Sequence, residues 1–340
     1  MNSDTPPASI PPEVVRQLAT DDRGPVTIVL SVIFTVLSLI SVSLRFYTRA
    51  VLMRNFSVED FFMGIAMVLS IVLGTTQIPP ACFGAGKHIA FVDPARFTSF
   101  KIHAFIAIIS YCASLTFTKL SILSQYRRIF TYKEMRSAIF IVFGIVAVHG
   151  IESVLTGVFS CVPVDAFWDA AKKPTARCLD KGGRRLYYAN AGIGIATDIM
   201  VAILPVKAVW ILQIPPRQKI ALLFLLTLGF VVCIVSMIRL DALHTMATHP
   251  EDPTWHSAPA GWWSCIEANL AIVCGSAPAL KPLFTRFIPQ FASHLTTARA
   301  ASKPTGQPPK DRKSFIELVT GNRRGVDTDG SGCSRPFRRR

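Results

Sequence analysis

Charge is scarce in this chain. Asp, Glu, Lys and Arg make up 17% of its 340 residues, where soluble domains carry about a quarter. That leaves too little polar surface to cover a globule in water and excludes a cytosolic enzyme. Acidic residues are scarcer than basic ones, 21 against 36, but the basic excess does not form the face of a nucleic-acid-binding domain. Eleven Lys and Arg lie within 287–340, where only Asp311, Glu317, Asp327 and Asp329 oppose them. Eight cysteines are too few for a disulfide-scaffold domain of this length. Cys-x-x-Cys, His-Glu-x-x-His, Gly-x-Ser-x-Gly, a phosphate-binding loop and a dinucleotide fingerprint are all missing, so no catalysis, metal or cofactor is expected. The N-terminus also lacks the basic leader and small-residue cleavage site of a signal peptide. Residues 1–24 are instead polar, with Asp4, Glu13, Asp21 and Asp22. They are expected to lie outside the cytosol, with the first apolar run acting as insertion signal.

What the chain has in quantity is apolar residues, 51%, gathered in long runs. A helix needs about 20 residues to cross a ~30 Å hydrocarbon layer. Seven segments reach that length: 25–46, 58–78, 97–123, 137–160, 187–212, 220–240 and 261–284. The expected fold is therefore all-α, a polytopic seven-transmembrane-helix bundle over 25–287. A disordered basic tail follows over 288–340, rich in Pro, Gly, Ser, Lys and Arg. Six spans, with one segment buried or re-entrant, is the alternative. No run of alternating ten-residue strands suggests a barrel.

Basic residues set the orientation. With the N-terminus outside, the inner loops and tail hold 20 Lys and Arg and the outer segments ten. Six of those ten sit in the loop 161–186 (Lys172, Lys173, Arg177, Lys181, Arg184 and Arg185). A cytosolic tail of this composition is drawn to anionic lipid, and membrane lipid is the expected partner rather than nucleic acid. The plasma membrane is the expected location. The sequon Asn55-Phe56-Ser57 would then face the cytosol.

Short motifs recur along this frame. They include Leu44-Arg45-Phe46-Tyr47-Thr48-Arg49, Glu59-Asp60, Gly84-Ala85-Gly86-Lys87-His88, Thr118-Lys119-Leu120-Ser121 and Tyr126-Arg127-Arg128. Asp198-Ile199, Leu204-Pro205, Trp210, Gln218-Lys219, Gly229-Phe230 and Ser236-Met237-Ile238-Arg239-Leu240 complete the set. In this order over roughly 25–287, the chain resembles the fungal rhodopsin-like integral membrane proteins of the satratoxin-cluster type. The resemblance implies seven helices and a receptor-like sensor associated with a fungal secondary-metabolite, or mycotoxin, pathway. It also implies an unknown small-molecule ligand and a cytosolic signalling partner. A transporter, exporter or membrane accessory protein of such a pathway is the alternative. Retinal chemistry is not implied, because Lys281, the one lysine of the last span, lies near its cytosolic end and reads as an interfacial side chain.

An ionisable group near the middle of a span costs at least ~2.5 kcal/mol and needs a partner or a wet cavity. Counted by depth, Arg45, Asp60 and Lys119 fall near the cytosolic face, and a Lys119–Asp60 pair is expected to close a charge lock there. Arg45 or Arg49 would take Glu59. His149, Glu152, Asp198, Arg239, Asp241, Glu267 and Asn269 fall in the outer half. His149 and Glu152, three residues apart, share a helix face, and with Asp198 and Glu267 they form the candidate cavity. Pro205, seven residues beyond Asp198, can kink the helix beneath it. Polar helix-to-helix glue is the plainer reading of the same residues. Cys82, Cys161 and Cys178 face outside, where disulfides persist. Matching cysteines in the resembled family and the ends of the longest outer loop favour Cys161 with Cys178, while a bridge from Cys82 to either stays open. His244, His249, Glu251, Asp252 and His256 read as a solvated loop, since Pro250 and Pro253 break any ligating helix.

Overall fold

The computed structural model describes Glu13 and residues 20–287 apart from 131, 170, 173, 180–182, 212–215 and 250. The expected tail, 288–340, lies outside the described residues, as does most of the N-terminal segment. Seven long helices follow one another: α1 Gly24–Tyr47, α2 Val58–Phe83, α3 Pro94–Ile129, α4 Lys133–Val158, α5 Gly183–Ile211, α6 Pro216–Thr248 and α7 Pro253–Phe287. Six helical stretches within α1 to α6 are long and apolar enough to cross a membrane. The seventh, α7, carries Glu267 and Asn269 fully inside the protein. Each helix packs on its neighbours in sequence, and α7 closes the ring against α1. Helix α3 also touches α5 and α7, which gives it a central position.

Several helices outrun their hydropathic cores. Helix α3 has 36 residues, about 54 Å at 1.5 Å per residue. Helices α6 and α7 continue to Thr248 and start at Pro253, leaving a connection of four residues where the apolar runs leave twenty. Hydropathy marks the part that suits lipid, whereas helical hydrogen bonding continues into water. Proline at the first helical position suits the start of α7, because its missing N–H has no intrahelical acceptor there.

The outward faces of the helices are Val, Ile, Leu and Phe, with Phe140, Val148 and Phe230 over 60% exposed. Inside, small hydroxyl residues let the helices approach. Ser38, Ser70, Ser114, Thr118, Ser121 and Ser276 are all buried, as expected where backbone closeness and polar contacts hold helices together in lipid. One such contact joins three helices. The Oδ1 of Asn269 on α7 accepts from Ser38 Oγ of α1 at 2.6 Å and from Ser70 Oγ of α2 at 2.7 Å.

Between α4 and α5 the chain forms a two-stranded hairpin, β1 Cys161–Val162 and β2 Arg177–Cys178, which pairs Cys161 with Cys178. Their sulfurs are bonded, and Cys82 is free and exposed. At the same end of the bundle, the loop after α2 fastens two helix starts. Gly86 accepts from Arg23 N–H at 3.0 Å and donates to Thr254 C=O at 3.0 Å. Gly84 and Gly86 have φ of 115° and 95°, which side-chain-bearing residues rarely adopt. A Cβ on Gly86 would stand 2.8 Å from the Gly24 nitrogen.

Candidate ligand-binding cavity

The charged residues of the bundle separate into two clusters. The first lies where α1 ends and α2 begins. Asp60 is the third residue of α2, and its Oδ2 accepts from the Ser57 N–H at 3.2 Å, capping the helix. Its Oδ1 takes Arg45 Nε at 2.8 Å, with both side chains fully buried. Arg45 Nη1 donates to Gly275 C=O of α7 at 2.9 Å. Beside this pair, Glu59 meets Arg128 at 3.0 Å and Arg49 at 3.5 Å. The π-helical turn Thr48–Leu52 after α1 carries Arg49 inward.

Lys119 is absent from this cluster. Its Nζ sits 3.0 Å from Asp198 Oδ1 of α5 and donates to Thr197 Oγ1 at 2.8 Å and Gly194 C=O at 3.1 Å. The expected Lys119–Asp60 pair is therefore replaced by Lys119–Asp198 and Arg45–Asp60. The reason lies in direction around the helix. Ser121 meets α2, donating to Glu59 C=O at 2.6 Å, and two residues at 100° each turn Lys119 about 200° away. Counting depth gives no such angle.

The second cluster lies deeper in the half that bears the disulfide. Glu267 of α7 is 1% exposed and gathers three partners. Tyr111 O–H of α3 donates to its Oε2 at 2.7 Å, Arg239 Nε of α6 lies 2.7 Å from the same oxygen, and Ser236 O–H donates to Oε1. Ser236 Oγ also lies 3.5 Å from Asp198 Oδ2. One hydroxyl thus stands between the Lys119–Asp198 and Arg239–Glu267 pairs. The Arg239 guanidinium also lies over the Tyr111 ring, 4.6 Å from its centre.

Above these pairs, residues of all seven helices line a cavity of about 480 Å³, within the usual range for ligand sites. Its lining runs along α3 from Phe100 to Lys119, about 28 Å. Phe167 of the disulfide hairpin lines its outer end, and Phe167 and Trp168 both pack on Phe105. Of the four expected cavity residues, His149 lines it and three do not. Asp198 and Glu267 stand one side chain behind the wall, drawn against Lys119 and Arg239. Their cations take the lining positions instead. Glu152 leaves the interior, with its side chain 48% exposed, and accepts from Thr156 of its own helix at 2.9 Å. The two do share a face, with His149 Nδ1 3.5 Å from Glu152 Oε2, but the roughly 60° between residues three apart leaves His149 on the cavity and Glu152 off it. The sequence had placed Arg239 in this half as a bare charge, and an intramembrane cation was the clue to its role. The Lys281 side chain lies outside the described residues.

The outer histidines form pairs. His88 contacts Asp252 and stacks on Trp255, whose other neighbour is the Arg23 guanidinium, 3.8 Å from the ring centre. His249 meets Glu251 at 2.9 Å and stacks on His256. Burial raises the Asp252 pKa, but the Ile89 N–H, the His88 hydrogen bond and the His88 charge together hold it below its ordinary value. Among the described residues no group of three or more His, Cys, Asp or Glu is arranged to hold a metal ion.

Residues 44–286, from the end of α1 to the last turn of α7, match the Fungal rhodopsin domain. The chain belongs to that family. Among its relatives is Receptor GIN3 of Arthrobotrys oligospora, 24% identical over 83% of this chain and 67% of the receptor. The Polyenoic acids biosynthesis gene cluster protein Ba17b of Metarhizium anisopliae is 23% identical over 90% of this chain and 89% of its own length. The Fugralins biosynthesis cluster protein 2 of Gibberella zeae is 26% identical over 72% and 62%. No solved structure matches the chain. This fungal rhodopsin-domain protein is thus a multi-pass membrane protein, with relatives that are a receptor and secondary-metabolite cluster proteins.

Proposed function

We propose that this fungal rhodopsin-domain protein is a receptor-like sensor serving a secondary-metabolite pathway, with no catalytic step of its own. The reading places the disulfide end outside the plasma membrane and the basic tail at a cytosolic signalling partner. The observation that carries it is the cavity, lined by all seven helices, with its inner end at two linked ion pairs. A ligand reaching that end touches α3 and α6 directly and α5 and α7 through Asp198 and Glu267. Binding there can therefore change how four helices pack, which is how differential affinity for two arrangements becomes a signal. The names of the relatives, a receptor and proteins of biosynthetic clusters, support the pathway setting.

Deleting the gene and comparing pathway expression with metabolites in cells and medium tests this. Altered pathway expression without retention of a product is expected. Ala104→Trp, which fills the cavity from α3, should reach the membrane yet fail to restore the output. Retention of one product in the deletion strain would make the protein an exporter instead.

A further inference from the structure

We propose that the cavity takes an apolar carboxylic acid, held by its carboxylate at Arg239. The inference rests on the cavity being a ligand site and adds the chemistry of the ligand. Among the described residues, no Asp or Glu lines the cavity, whereas Lys119 and Arg239 both do. The two carboxylates that neutralise them are behind the wall, so an occupant meets the positive ends of both pairs. That polarity selects an anion over an amine.

The two cations are not equally available. Lys119 has three N–H donors; Thr197 and Gly194 accept two of them, and its charge is paired with Asp198 at 3.0 Å. Arg239 has five. Its Nε stands 2.7 Å from Glu267 Oε2 as an ion pair without hydrogen-bond geometry, and its two terminal nitrogens make no hydrogen bond to a described residue. The side chain keeps 13% of its surface accessible, on the cavity it lines. Tyr111 under the guanidinium and Glu267 at its edge fix the plane of the fork. A fixed guanidinium with unused parallel donors suits the two oxygens of a carboxylate.

The rest of the lining sets the remainder of the molecule. From Tyr111, beneath Arg239, to Phe100 is eleven residues of α3, about 16 Å. Leu243 and Met246 continue the wall from Arg239 along α6, and Phe167 lines the outer end. An acid with a long apolar tail fills this space, with its head inward and its tail toward the hairpin. The carboxylate then competes with Glu267 for Arg239, which couples occupancy to the contact between α6 and α7.

The experiment uses the full chain in nanodiscs of neutral phosphatidylcholine. The probes are 11-(dansylamino)undecanoic acid, its methyl ester and the corresponding alkylamine, with uptake by empty discs subtracted. The acid should bind at least about ten-fold more tightly than the ester, the factor that one charge-assisted contact gives, and the amine more weakly still. Arg239→Lys keeps the charge but loses the fork, and it should cut the acid's advantage while leaving the ester unchanged. If that variant does not fold, the acid and ester on the unaltered protein decide the matter. Equal binding of acid and ester, or tighter binding of the amine, overturns the carboxylate inference and leaves a ligand cavity standing. No binding of any probe above empty discs overturns both readings.

Discussion

A single side chain in this bundle is governed by its direction as much as by its depth. Lys119 and Asp198 are 9% and 10% exposed, so each is costly without the other. Truncating either partner, by Lys119→Met or Asp198→Leu, should cost about 3–5 kcal/mol, because the remaining charge is left buried. The double variant Lys119→Met/Asp198→Leu should regain most of the loss. Thermal unfolding in nanodiscs reads the cycle, and the same cycle on Lys119 and Asp60 should show coupling no larger than a few tenths of a kcal/mol. Strong coupling to Asp60 would contradict the pairing described above. Outside the membrane, Asp252 permits a test by pH. Its folded pKa is depressed, so its contribution is present above the unfolded value, about 3.9, and is lost as pH falls through the folded value. The difference in melting temperature between the native protein and Asp252→Asn should be fully present at about pH 5 and shrink below about pH 4. A difference that instead grew on acidification would reverse the sign argued for Asp252.

Elements owe their positions here to loops as well as to helix faces. The loop Gly84–His88 joins the lead-in to α1, the end of α2 and the start of α7 through Arg23, Pro80 and Thr254. Gly86→Ala forces a Cβ against the Gly24 backbone at an unfavourable φ, and such strain costs about 1–3 kcal/mol. Gly144→Ala on α4 meets nothing within 4 Å and should not lower the melting temperature, since Ala favours the helix over Gly. Equal losses in the two variants would remove the special role of the loop. The helices themselves were legible in the sequence, since twenty apolar residues admit little else in lipid, and every expected span lies within or nearly coincides with an observed helix. Their ends were not, because α3, α6 and α7 continue past the hydropathic signal. The site was half legible. Insertion cost marked Lys119, Asp198, Arg239 and Glu267 as needing partners, but pairing depends on rotation about each helix, which depth leaves open. For the same reason Glu152, three residues from His149, could be read inward although its side chain turns out.

For the whole molecule, the question is which end faces the cytosol. Two arguments of different origin agree. The short loops at the Arg45–Asp60 end and the tail sequence together hold 20 Lys and Arg against ten in the segments at the other end, and the positive-inside tendency favours that end for the cytosol. The other end carries the Cys161–Cys178 bond, which persists in an oxidising compartment. The six basic residues of the hairpin loop run against the first argument but leave the second untouched. Glycosylation tests both at once, because acceptor sequons are modified only on the extracytosolic side. Asn55 is exposed in the loop before α2 and should stay bare, so enzymatic deglycosylation should not shift the native band. Pro174→Asn with Ala176→Thr creates a sequon around Thr175 in the disulfide hairpin, where residue 174 is exposed, and should add a removable sugar. Sugar on Asn55 with none on the hairpin would invert the bundle, put the Arg45–Asp60 cluster outside and leave the cavity opening toward the cytosol. A ligand made inside the cell would then reach the site directly, whereas in the proposed orientation it enters from outside past Phe167.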